Sequence, residues 1–125
     1  MKTVLDLYMA TRSLFPDIAE IADSIHARTW GEPKPERAHA WFESLANALN
    51  NDMKKGVSAG HHMKLLSFLS QALHDGSPET KNCIDVAFVE NLFWQVPGTQ
   101  AAPYWEKLPA SLKALYMEFH RRAPL

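Results

Sequence analysis

Residues 77–96 limit the possible folds more than any other part of this chain. They open on Ser77-Pro78-Glu79, where a serine can cap free N–H groups, a proline suits the first helical position and a glutamate faces the positive end of the dipole. The residues that follow, Cys83-Ile84-Asp85-Val86-Ala87-Phe88-Val89-Glu90-Asn91-Leu92-Phe93-Trp94, are apolar on almost every side of a helix until Pro97-Gly98 ends it. A helix that is apolar all round has to be covered by neighbours on several sides. Residues 77–96 are therefore expected to form the central, mostly buried helix of an all-α domain.

The remaining segments supply the cover. Residues 3–14 place Val4, Leu5, Tyr8, Met9 and Thr11 on one side, and Pro16 then interrupts and suits the first turn of a second helix. In residues 17–28 the spacing of Ile18, Ile21, Ala22 and Ile25 is that of an amphipathic helix. After a loop marked by Gly31 and Pro33, residues 35–55 carry Ala38, Trp41, Phe42, Leu45, Leu49 and Met53 on one stripe. Their other face (Glu43, Asn47, Asn50, Asn51, Lys54) reads as polar, and Gly56 is the expected stop. Residues 61–74 bury His62 or Met63 with Leu65, Leu66, Leu69 and Leu73, and Asp75-Gly76 closes them. Near the end, residues 103–107 are expected to make no more than a turn. Pro109 opens a last helix with Leu112, Leu115, Tyr116 and Phe119 on one face. No segment alternates as a strand would, and the loops are short. The expected architecture is all-α: residues 1–125 as one domain, a bundle or short stack of about five or six mostly antiparallel helices.

Composition narrows the function classes. At 125 residues the chain can bury one real core, and 46% hydrophobic with 22% charged residues argues against disorder. A formal charge of −1 gives no electrostatic reason to expect nucleic acid or an anionic membrane as partner. The single cysteine, Cys83, allows no intrachain disulfide, and no stretch approaches the roughly 20 apolar residues of a membrane span or a signal-type apolar run. A reducing, cytoplasmic setting is expected.

Few residues invite chemistry. His61-His62 are adjacent and point about 100° apart on a helix, whereas one ion needs ligands at i, i+3 or i+4; no metal and no cofactor is expected. Cys83 lies in the apolar run, where a thiol behaves as a small hydrophobe with a raised pKa. Glu90 and Asn91 fall within the most apolar helix and need partners there. The expected role of both is structural, fixing a neighbouring loop or helix end, with a pocket or partner surface as the alternative. Asp17, Glu20 and Asp23 recur every three residues along the second helix, with Trp30 and Glu32 close behind. These five form a candidate partner-binding face: acidic residues to attract a basic partner and an aromatic to anchor it.

The run Asn82-Cys83-Ile84-Asp85-Val86-Ala87-Phe88-Val89-Glu90-Asn91-Leu92 resembles the signature helix of a group of small all-helical bacterial proteins. The preceding His74-Asp75-Gly76 turn and the early Leu14-Phe15-Pro16 are similar to that group as well. Most of its members are of unknown function, and some look like immunity proteins encoded beside secreted polymorphic toxins. The resemblance implies a non-enzymatic antitoxin that binds a cognate secreted toxin domain and occludes its active site, with Phe88, Glu90, Asn91 and Leu92 as family-typical scaffold. A small helical adaptor or regulatory subunit for a cellular enzyme is the alternative. A third reading, an enzyme using Glu90 with a histidine, would require a cavity beside Glu90.

Overall fold

Thr3 starts the first helix with a reciprocal cap: its side chain accepts the Asp6 amide at 3.0 Å, and the Asp6 carboxylate accepts the Thr3 amide at 3.2 Å. The computed structural model describes residues 2–125, and every regular element among them is helical. The elements are α1 (Val4–Leu14), α2 (Pro16–Trp30), α3 (Ala38–Lys54), α4 (Met63–Asp75), α5 (Pro78–Asn82), α6 (Gly98–Lys107) and α7 (Ala110–His120). Two short 3₁₀ turns, Pro35–Arg37 and Ala59–His62, lead into α3 and α4. A π-helical segment, Cys83–Val89, continues α5.

The most enclosed α-helix is α3. It packs on α1, α2, α6 and the π-helical segment, with Trp41, Phe42, Leu45, Leu49 and Met53 inside as their spacing predicts. Ser44, Ala46 and Ala48 are buried too, so small residues let neighbours approach the flanks of the apolar stripe. Asn50, expected on the solvent face, is 1% exposed. Centrality is thus shared between α3 and the π-helical segment, whose Cys83, Ile84, Ala87, Phe88 and Val89 are buried as expected.

Residues 77–96 do not form one helix. After α5 the coil widens, so that the Glu90 amide bonds the Asp85 carbonyl five residues back, at 3.1 Å. The chain then leaves the helix, and Phe93 (φ 69°) and Gln95 (φ 55°) take left-handed conformations. Side chains end the ladder. Asn91 Nδ2 donates to the Ala87 carbonyl at 2.8 Å, and Asn50 engages the backbone on both sides of Leu92. Glu90 and Asn91 therefore lie past the π-helical segment, half-buried, rather than in the middle of an apolar helix. The left-handed turn at Phe93 directs its ring into a cluster with Trp105 and Tyr116, at centroid distances of 5.9 and 5.4 Å.

Pro97 begins the next element as well as ending the last. Its carbonyl accepts the amides of Gln100 and Ala101 at 2.9 Å, which opens α6 well before the expected turn at 103–107. Pro103 sits inside α6, where its missing N–H gives up the bond to the carbonyl four residues back. Gly56 has the left-handed φ of 78° foreseen for a helix stop. Gly76 closes α4 for a different reason: its φ is −76°, but a Cβ there would come within 2.5 Å of the Ala72 carbonyl oxygen and 2.8 Å of the Thr80 side chain.

Candidate functional site

A single residue, Phe15, joins α1 to α2, so the two helices meet in a tight corner with Pro16 in the first turn of α2. Under this corner lies a cavity of about 280 Å³. The corner contributes Leu14, Asp17, Ile18 and Ile21; Asp52 comes from the last turn of α3, His62 from the following 3₁₀ turn, and Lys64 and Leu65 from α4. Leu14 is 58% and Ile21 43% exposed, whereas Ile18 and Leu65 are buried. The apolar wall thus runs from the surface to the core.

The polar end of the cavity is a carboxylate–imidazole pair. His62 Nε2 lies 2.8 Å from Asp52 Oδ2, with both side chains largely buried. Burial holds the His62 ring below its ordinary 6.5, against the hydrogen bond and charge of Asp52, which favour the protonated form. Because a carboxylate only accepts, the neutral ring carries its proton on Nε2 and keeps Nδ1 as an acceptor. The connection that carries this pair is held from the other side, where the Tyr104 hydroxyl donates to the Val57 carbonyl at 2.8 Å. Lys64 forms no ion pair with either carboxylate of the lining. The sequence reads His61-His62 as a helix-start pair with one histidine exposed and no metal, and the structure exposes His61 and buries His62. The pairing of His62 with Asp52, ten positions earlier, depends on how the α3–α4 connection folds back. Among the described residues no group of three or more His, Cys, Asp and Glu side chains is arranged to hold a metal ion.

The five residues proposed for a partner face are not brought together. Asp17 and Glu20 are exposed at the corner, one helical turn apart, with no ion pair or hydrogen bond to either side chain among the described residues. Asp23 is engaged internally. Its carboxylate accepts from both terminal guanidinium nitrogens of Arg12, Nη2 at 2.9 Å, and from the Trp41 indole N–H at 2.8 Å. Trp30 ends α2 about 20 Å along the helix from Asp17. Arg37 lies 5.2 Å from its ring centroid and donates to its carbonyl, and the ring stacks on buried His26. Glu32 is exposed in the loop beyond.

Of Glu90 and Asn91 in the signature run, Asn91 fixes the end of the π-helical segment through its side chain and its carbonyl. Glu90 contributes its carbonyl, 3.1 Å from His120 Nε2. Its carboxylate borders a second cavity of about 270 Å³ with Asp85 and Glu118. Burial, and then the charge of Asp85, push the Glu90 carboxyl up, with His120 opposing. Burial and Glu118 raise Asp85 in the same way. Cys83 is fully enclosed and its thiol is pushed up to about 12, as its apolar setting led one to expect.

A domain family of unknown function, DUF7674, matches residues 10–122. The chain belongs to this family. The matched span takes in the end of α1 and all the later helices, so the corner cavity, the Asn50 clamp and the signature run all lie inside the DUF7674 domain. No curated protein and no solved structure matches the chain. Among the described residues of this DUF7674 protein, no helix is long and apolar enough to cross a membrane.

Proposed function

We propose that this DUF7674 protein is a bacterial immunity protein: a cytoplasmic, non-enzymatic inhibitor that binds a cognate secreted toxin domain and covers its active site. The observation that carries the reading is the α1–α2 corner, where the free carboxylates of Asp17 and Glu20 stand beside exposed Met9, Leu14 and Ile21. Like charges one turn apart on a helix cost a few tenths of a kcal/mol, and exposed apolar side chains add nothing to the core. Together they suit a surface that docks on something basic. Acidic faces speed encounter with a positively charged partner and exclude wrong ones, and a nuclease-type toxin has a positive active site of this kind. Asp23 supports the surface from behind by pinning α1 to α2 and α3.

Co-expression with the product of the adjacent gene tests the reading. The expected result is co-purification and rescue of growth from the toxin domain. Failure of the two purified proteins to associate at micromolar concentration overturns it.

A further inference from the structure

The corner cavity has a shape and a charge that together define what enters it. Cavities of about 150 Å³ accept a benzene-sized group, and drug-like ligands occupy roughly 300 Å³ or more. At about 280 Å³ this one suits a single long side chain. Leu14, Ile18 and Ile21 offer an apolar wall that reaches the surface. Asp17, Asp52 and the neutral His62 ring present acceptors, against the Lys64 ammonium and the His61 ring elsewhere in the lining. With Asp17 and Asp52 each negative and Lys64 positive, the lining carries a net charge of −1, by adding −2 and +1. An apolar wall leading to a net excess of carboxylate matches a cationic head on an aliphatic stem, which buries its stem and keeps its charge at a polar end. A guanidinium fits better than an ammonium, because it is less strongly hydrated and bonds a carboxylate in a two-pronged fashion.

We infer that the α1–α2 cavity receives one arginine side chain of a basic protein partner, with its stem along Leu14, Ile18 and Ile21 and its guanidinium at Asp17 and Asp52. This inference rests on the protein-binding reading above and names the partner's anchor. It makes His62 a positioning residue: its bond to Asp52 holds that carboxylate at the inner end of the cavity.

The test uses the full chain and a defined probe. Titration with N-acetyl-arginine amide, followed by amide and imidazole NMR signals, is expected to shift Asp17, Ile18, Ile21, Leu65 and the His62 ring in a saturable way. N-acetyl-norleucine amide, with a similar stem and no charge, is expected to bind at least tenfold more weakly. Asp17→Asn, a surface change, is expected to weaken the arginine probe by about three- to tenfold. Equal binding of the two probes, or shifts confined to other faces, overturns the inference. The same Asp17→Asn change and Ile21→Ser, made in the complex with the toxin domain, separate the two readings. A tight complex indifferent to both variants overturns the arginine anchor and leaves the immunity reading standing. Saturable arginine binding in the cavity with no toxin complex overturns the immunity reading and the protein source, and leaves a site for free guanidino compounds.

Discussion

Asn50 and Phe93 are 43 positions apart, and the side-chain oxygen of the first accepts the backbone N–H of the second at 2.7 Å. The same amide group donates to the Asn91 carbonyl at 2.9 Å and to Asn47 Oδ1 at 3.2 Å. One buried side chain thus satisfies a donor and an acceptor of backbone that has left the helical ladder, and it does so across the α3 interface.

Asn50→Ala leaves the buried Phe93 N–H without an acceptor and the Asn91 carbonyl with only the Trp94 amide, at 3.3 Å. At about 1–3 kcal/mol for one unsatisfied buried group, the loss of stability is expected to be about 1–3 kcal/mol. Urea denaturation measures it. A loss below about 1 kcal/mol would show that the turn is held by the aromatic packing of Phe93 alone.

Asp23 is predicted to matter for stability before it matters for binding. Asp23→Ala removes the acceptor for the Trp41 indole and the partner of Arg12, which also lies 5.2 Å from the centroid of Tyr8. The expected cost is about 2 kcal/mol, the scale of hydrogen bonds to a charged group. Combined with Arg12→Ala, the losses are expected to be less than additive, because the two changes break one network. A double-mutant cycle on thermal unfolding reads this, and simple additivity refutes the network.

His26 gives the fold an acid-sensitive point. The ring is 1% exposed, and neither nitrogen has a hydrogen-bond partner. Burial holds its pKa below the ordinary 6.5, with Asp23 opposing that shift and Arg37 adding to it. The unfolded chain therefore binds the proton first as pH falls. The contribution is complete above about 6.5 and is lost as pH drops through that value toward the folded pKa. His62, lowered for the same leading reason, has the same sign. Stability measured by denaturant at pH 7 and pH 5 is expected to fall, and His26→Leu is expected to reduce the slope without removing the part due to His62. An unchanged slope would exclude His26 as a contributor.

Cys83 is expected to resist thiol reagents at pH 8. Its thiol is enclosed and titrates near 12, so labelling has to wait for the segment to open. The labelling rate is expected to rise with urea in step with unfolding. Rapid labelling of the native protein would contradict the burial of the π-helical segment.

Much of this fold was legible because the signals were local. The proline in the first turn of α2, the Ser77 cap, the stripe on α3 and the all-helical class follow from spacing and capping chemistry within a turn or two. What failed was set at longer range. The helix from residue 77 stops early because a side chain from another helix takes its backbone groups, and nothing near Asn50 announces that. α6 is longer than the turn expected at 103–107, since a proline one turn and a half into a helix forfeits only one bond. The candidate face was half legible. Asp17 and Glu20 stand free at the corner, but Asp23 shares their spacing and is turned to Arg12 and Trp41 by the angle between α1 and α2. The cavity with its Asp52–His62 pair was beyond reach, since four helices and a 3₁₀ turn assemble it.

The wide coil at Cys83–Val89 ties the length of one segment to the identity of a residue on another. Each residue advances an α-helix by about 100°. Deleting one residue from this coil would tighten it to ordinary α-helix and swing the Asn91 carbonyl and Phe93 amide away from α3. Asn50 would then face apolar surface with its amide unmatched. Among relatives, the extra residue and the asparagine are expected to be inherited as a pair, so a one-residue gap in the signature run should coincide with an apolar side chain in place of Asn50.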